Sequence, residues 1–364
     1  VSAAARLLVL VTLALAASSC AATQAIAEPV RAAGTAADAS QVAETRALLQ
    51  RMNAALAQRN YIGTLRHDRN GRTETLRIVH RVRGGEVAER IVPLDGSRRE
   101  FIRRGPELFC FLPDQGIVLV ERRPRAGGLF ATLPQLDARS EKVYELQTVK
   151  RVRQQGRLAH LVTLAPRDGY RYGYRIWIDH RTSMPIKTQL RDAEGKVLEE
   201  TSFNELSLVA DIPDSAFQPA VPTADLRWYR STPVPVAAAT RPAAPAWVAS
   251  QLPPGFRLTQ SGRQNLPGAE GPVEHLVFSD GLASVSVFIG SPTAAPKPRG
   301  ADVGVGFAGA YATYVTRVEG RPVTVVGEVP LRTARFIAAQ VRRVAPVVPV
   351  EPSAARPSAS RPPK

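Results

Sequence analysis

Cysteine is nearly absent from this sequence: Cys20 and Cys110 are the two in 364 residues. A disulfide framework is therefore excluded, and the fold must be held by its core. Cys110, inside ELFCFLPD, reads as a small buried apolar residue rather than a nucleophile. The five histidines, His67, His80, His160, His180 and His275, are scattered with no pair at ligand spacing, so no metal site is expected. No G-x-S-x-G elbow occurs. GVGFAG at 304–309 fits G-x-G-x-x-G, but a Pro-rich stretch precedes it where a dinucleotide site needs a strand. Its glycines read instead as a flexible approach to the strand that follows. No cofactor and no catalysis are expected. Long hydrophobic runs are missing too. The one candidate, Leu7–Ala17, is too short to span a bilayer as a helix.

That short run has another meaning. Arg6 precedes it, and Ala25-Ile26-Ala27 supplies small residues for a cleavage site. The expectation is a secretory signal over 1–27, cleaved near Ala27. Ala17-Ser18-Ser19 before Cys20 leaves a lipoprotein signal as the lesser alternative.

Positive charge is abundant: the formal net charge is +16. Such a surface favours acidic partners. The arginines are dispersed along candidate strands, as in Arg77, Arg81, Arg83 and Arg90, which is the habit of a solvated face. There is no basic helix and no RNA-binding aromatic motif, so nucleic acid is not an expected partner.

Hydrophobic spacing organises the rest. Residues 28–40 read as a flexible N-terminus. Val42, Leu48, Leu49, Met52 and Leu56 make one helical stripe from about Ser40 to Gln58. Short alternating runs follow, divided by Asn70-Gly71, Gly84-Gly85, Asp95-Gly96, Gly156 and Glu194-Gly195. They predict one large antiparallel sheet over 41–220 whose inner face is covered by the helix. In YRYGYRIWID, Tyr172, Tyr174, Ile176 and Ile178 would face inward, while Arg171, Gly173, Arg175 and Asp179 meet solvent. Pro and Ala mark a linker over 221–245. A second unit, 246–345, carries the hairpin PVEHLVFSDGLASVSVFIG around Asp280-Gly281, another strand pair, and a helix from about Leu331. Residues 346–364 are Pro- and Ser-rich and are expected to be disordered.

Several stretches resemble the RseB/MucB family of periplasmic negative regulators of the envelope-stress sigma factor, sigma-E. They are LLQRMNAALAQRNYIGTL, LDGSRREFIRRGPELFCFLPD, YGYRIWIDHRTSMPIKTQLRDAEGKVLEETSF, LPPGFRLTQSGRQNLP, the hairpin segment, and VEGRPVTVVGEVPLRTARFIA, in order over about 45–340. Ile62 and Leu65-Arg66 depart from the family's pattern. The resemblance implies an α+β fold: a large, half-open LolA-like antiparallel β-barrel with covering helices, and a smaller C-terminal sheet-and-helix domain. It implies a partner, the periplasmic domain of a membrane-anchored anti-sigma factor, shielded from its first proteolytic cut. It also implies release by lipopolysaccharide or another acylated ligand. A lipid or lipoprotein carrier without regulatory role is the alternative. Self-association into a homo-oligomer stays open.

An apolar half-barrel can hold acyl chains, at about 0.8 kcal/mol per buried methylene, and an arginine rim would suit lipid phosphates. The pocket-lining candidates are Leu76, Ile78, Phe109, Phe111, Tyr172, Tyr174 and Ile176; each is equally a candidate for ordinary core. His275, Phe278 and Arg317 are the candidates for the partner surface.

Overall fold

The computed structural model describes residues 36–122, 140–231, 246–264, 271–291 and 304–344. The expected signal, the start of the flexible N-terminus, the later part of the linker and the tail lie outside them.

The chain opens with α1 (Ala36–Gln58), followed by β1 (Tyr61–Arg69), β2 (Arg72–Arg83), β3 (Glu86–Pro93), β4 (Glu100–Arg104), β5 (Glu107–Leu112) and β6 (Ile117–Arg122). A one-turn helix α2 (Ser140–Val143) leads into β7 (Tyr144–Gln154), β8 (Arg157–Pro166), β9 (Gly173–Asp179), β10 (Pro185–Arg191), β11 (Val197–Leu208) and β12 (Arg227–Ser231). These twelve strands form one sheet in the order β12-β6-β5-β4-β3-β2-β1-β11-β10-β9-β8-β7, open at both ends. Every pairing is antiparallel except β12 with β6. The parallel β12 falls inside the span expected to be linker.

Helix α1 lies against the inner face. Its stripe buries Leu48, Leu49, Met52 and Leu56 against Tyr61, Leu65, Ile78, Ile91, Leu164, Ile176 and Ile178. Arg46 fastens the helix to α2 through two hydrogen bonds to Glu141, at 2.6 and 2.7 Å. A second cluster, Ile102, Phe111, Val118 and Val120, sits apart under β12, where Trp228 packs edge-on to Phe109 and Phe111.

The C-terminal unit comprises β13 (Trp247–Ala249), β14 (Arg257–Gln264), β15 (Val273–Ser279), β16 (Ser284–Ile289), β17 (Gly304–Ala308), β18 (Tyr311–Val318), β19 (Arg321–Glu328), α3 (Leu331–Gln340) and β20 (Val341–Arg343). Its six-stranded sheet runs β14-β15-β16-β19-β18-β17. The hairpin forms β15 and β16 with Phe278 opposite Val285 and Leu276 opposite Val287. Those side chains meet Val323, Val325, Ala334 and Ile337 in the core under α3. GVGFA is itself a strand, β17, not a flexible approach; its alternate glycines let a short extended run pair with β18. Among the described residues, no helix is long and apolar enough to cross a membrane.

Ile176 is 0% exposed in the core that α1 completes. Ile176→Ala should therefore destabilise the protein by about 2–5 kcal/mol. Urea unfolding followed by circular dichroism measures this; an unchanged midpoint would contradict the packing described.

Candidate functional site

The two sheets meet at a seam, and the hairpin turn is its centre. Asp280 follows the turn logic of its sequence: its Oδ1 accepts the N–H groups of Leu282 (2.9 Å) and Ala283 (2.7 Å). Its Oδ2 points into the N-terminal unit. There it accepts Nη1 of Arg171, and the Tyr144 hydroxyl donates to it at 3.3 Å. Arg171 also donates Nε and Nη2 to the two oxygens of Asp168, each at 3.0 Å, and Nη2 to the Pro254 carbonyl at 2.5 Å. The guanidinium lies over the rings of Phe256 (5.2 Å) and Tyr144 (5.6 Å). Both side chains of the Arg171–Asp280 pair are 0% exposed. Burial, then the charge of Asp280, holds the Tyr144 hydroxyl well above the ordinary tyrosine range. Gly255 has φ +80, and a Cβ there would press on Val143 at 3.2 Å; the residue allows the loop to close over the arginine.

This corrects the strand reading of 170–179. Arg171 was expected in solvent by period-two alternation. Residues 169–171 are instead a turn and bend, with β9 starting at Gly173, so alternation does not reach Arg171. Asp179, also expected outside, is buried. Its Oδ1 accepts the Arg181 and Thr182 N–H groups at 3.0 and 2.8 Å, fixing the β9–β10 turn.

Two further contacts flank the pair. On one side, Thr333 of α3 donates its hydroxyl to the Tyr170 carbonyl at 2.7 Å, Arg332 lies 4.8 Å over the Tyr170 ring, and Phe336 meets that ring edge-on at 5.5 Å. On the other, Glu199 of β11 accepts the Ala310 N–H at 3.1 Å. A Cβ at Gly309, φ +66, would overlap Arg69 and Glu199. Here the Tyr174 hydroxyl donates to Glu328 at 3.4 Å. Burial, then the charge of Glu199, pushes the Glu328 carboxyl up to about 8, against the hydrogen bond from Tyr174 and the charge of Arg69. His67 of β1 is 3.9 Å from Glu199; burial lowers its pKa.

Beside Glu328 is a cavity of about 150 Å³, walled by Leu56, Leu65, Tyr174, Phe203 and Glu199 from the N-terminal unit and by Glu328 from the other. The cavity is half-open, and Lys187, Gln189 and Thr201 add polar groups to its wall.

The predicted residues do not form one site. Ile78 and Ile176 are fully buried under α1, and Leu76 packs against the same core. Tyr174 lines the cavity. Tyr172 is half-buried near it, and burial, then Glu328, pushes its hydroxyl up to about 12. Phe109 and Phe111 belong to the separate cluster under β12. Of the partner candidates, Phe278 is core, and His275 is 3% exposed, stacked on Phe288 at 4.5 Å with Nε2 3.1 Å from the Ser286 hydroxyl. Neither presents a surface, because both faces of β15 are covered. Arg317 is half-buried and donates to the Gly320 carbonyl. The arginine rim is largely neutralised: Arg81 pairs with Asp214, Arg83 with Asp211, and Arg90 with Glu100. His160 and His180, far apart in sequence, meet at 2.9 Å, yet no group of three metal-ligating side chains occurs among the described residues.

Arg171→Ala leaves Asp280 buried without its charge partner, a loss of about 3–5 kcal/mol in buried pairs. It should separate the thermal unfolding of the two units into resolved steps; one unchanged transition in calorimetry would contradict the seam's weight. The docked seam favours protonated Glu328. Glu328's contribution to docking should be fully present below about pH 4.5, fall as pH rises towards about 8, and be gone above that. Glu328→Gln should flatten that dependence, read as protease susceptibility between the units against pH. Parallel profiles for the two proteins would refute it.

Comparison with known proteins agrees with this two-unit plan. The MucB/RseB N-terminal domain model matches residues 44–221, and the MucB/RseB C-terminal domain model matches 241–342. The sigma factor AlgU regulatory protein MucB of Pseudomonas aeruginosa is 33% identical over 312 residues, covering 84% of this chain and 92% of that protein. The sigma-E factor regulatory protein RseB of Escherichia coli K12 is 29% identical over 315 residues, covering 84% and 93%. A crystal structure of MucB in complex with MucA(peri) aligns with TM-score 0.63 at 30% identity, covering 83% of this chain and 99% of that one. The chain therefore belongs to the MucB/RseB family.

Proposed function

We propose that this protein is a periplasmic regulator of the sigma-E response. It binds the periplasmic segment of a membrane-anchored anti-sigma factor, shields it from the first proteolytic cut, and lets go when lipopolysaccharide or another acylated ligand binds. Binding, not catalysis, is the activity. Family membership supports the partner class, as does the relative MucB, which is held in complex with MucA(peri). The expected export signal, residues 1–27, would place the chain in the periplasm. Whether Ala27 cleavage or Cys20 lipidation applies rests on residues outside those described.

The observation that carries the reading is the seam. Two units dock through one buried ion pair beside a cavity walled by both. The half-open cavity of about 150 Å³ is small for a multi-acyl ligand. On this reading the ligand enters beside the seam and favours the state in which the units part, and that differential affinity is what regulation requires. The carrier reading is less well supported. α1 already fills the concave face a carrier would keep vacant, and a carrier has no use for a docked second unit.

MucA(peri) should bind the full chain, and lipopolysaccharide should weaken that binding. Isothermal titration with and without lipopolysaccharide checks both. No binding at about micromolar levels, or equal affinity in both conditions, would overturn the regulator reading.

A further inference from the structure

We propose that the free edge of the C-terminal sheet, β17, is a docking strand for an extended, acidic segment of a partner polypeptide. This rests on the reading that the chain grips a polypeptide tail, and it places that grip.

Among the described residues, β17 ends its sheet and is hydrogen-bonded on one side only, to β18. Its sequence alternates Gly304 and Gly306 with Val305 and Phe307, which are 45% and 63% exposed. Val305 lies opposite Tyr314 and Phe307 opposite Ala312. Tyr314 lies opposite Val325, a core residue under α3. Val305 and Phe307 therefore extend the core face past the main cover: α3 packs chiefly on β18 and β19. Protein edges are ordinarily blunted by charge, proline or bulges. The opposite edge, β14, carries Arg257 and Arg263. β17, GVGFA, carries no charge and no proline. An unblunted edge with alternate apolar side chains is the geometry of strand addition, where main-chain hydrogen bonds give affinity and alternate side chains give register.

The neighbouring helix supplies the charge preference. Arg335 lies 5.8 Å over the Tyr314 ring, next to Val305, and Arg332 lies over Tyr170. Both are exposed, and neither has a carboxylate partner among the described residues. Arg332, Arg335, Leu331, Phe336 and Tyr170 border an open groove along α3. A segment alternating apolar and acidic residues would lay its apolar side chains on Val305 and Phe307 and turn carboxylates to these guanidinium groups. Charge excludes the simpler occupants. A second copy would bring the same arginines on a chain of net charge +16. This chain's own residues 345–364 carry Arg356, Arg361 and Lys364 against the single acid Glu351.

The test uses the full chain and two fluorescent probes: MucA(peri), and a synthetic peptide of alternating Val and Glu with a central Phe. Polarisation should show both binding. Phe307→Asp and Arg335→Glu, each at an exposed position, should weaken both by about tenfold or more. Leu258→Asp on β14 should change neither beyond about twofold. Amides of 304–308 should gain hydrogen-exchange protection in the complexes. Wild-type affinity in Phe307→Asp and Arg335→Glu, with unchanged circular dichroism, overturns the edge assignment and leaves the tail-gripping reading standing. Loss of MucA(peri) binding alone, with the synthetic peptide still sensitive to Phe307→Asp, overturns the tail-gripping reading and keeps the edge. Failure of both probes at about 100 µM overturns both.

Discussion

A guanidinium and a carboxylate, both stripped of water, join the two halves of this protein. Taking either charge out of solvent is expensive, and the pair's mutual attraction repays that only with good geometry and further hydrogen bonds. Arg171 has those bonds: Asp168 accepts two of its N–H groups, the Pro254 carbonyl takes a third contact, and aromatic rings cover its faces. Asp280 has them too, from the backbone of its own turn and from Tyr144. The consequence is a contact that is satisfied when closed and costly when half-broken.

The placement of the seam matters as much as its chemistry. On the N-terminal side it gathers the loop before β9, the ends of β1 and β11, and α2. On the C-terminal side it gathers one hairpin turn, the end of β19 and the start of α3. α1 packs on the large core, and among the described residues a half-open cavity of about 150 Å³ lies at this boundary, lined by both units. The edge strand β17 runs up to the seam, since Gly309 and Ala310 at its end meet Arg69 and Glu199. α3 touches both regions, since its first turn contacts Tyr170 and its flank carries Arg335.

Much of the architecture was legible because it obeys local periodicity. The α1 stripe, the Asp280-Gly281 hairpin, the Leu331 helix and most strands of the large sheet came from spacing and turn residues. β1 did not, because Gly63 interrupts the apolar alternation of Tyr61 and Leu65. β12 did not, because it is a parallel strand whose partner β6 lies about 110 residues earlier in the chain, amid prolines. The site was the least legible part. Asp280 had a complete local explanation as a turn residue, and nothing in the sequence showed that its second oxygen was engaged. Arg171 sat among tyrosines in a pattern that continued a strand where the chain actually turns. Inward-facing apolar residues were identified, but that Ile78 and Ile176 pack under α1 was not, since spacing gives the face and not what covers it.

The central claim, that ligand entry and release of the held tail proceed through parting of the two units, is tested most directly by one distance. Spin labels at Glu86→Cys and Glu319→Cys, in a Cys110→Ser background, report the separation of the units by pulsed electron resonance. Both native residues are exposed. The account predicts that lipopolysaccharide lengthens and broadens this distance in the same concentration range in which MucA(peri) dissociates. Full dissociation at an unaltered distance would contradict it.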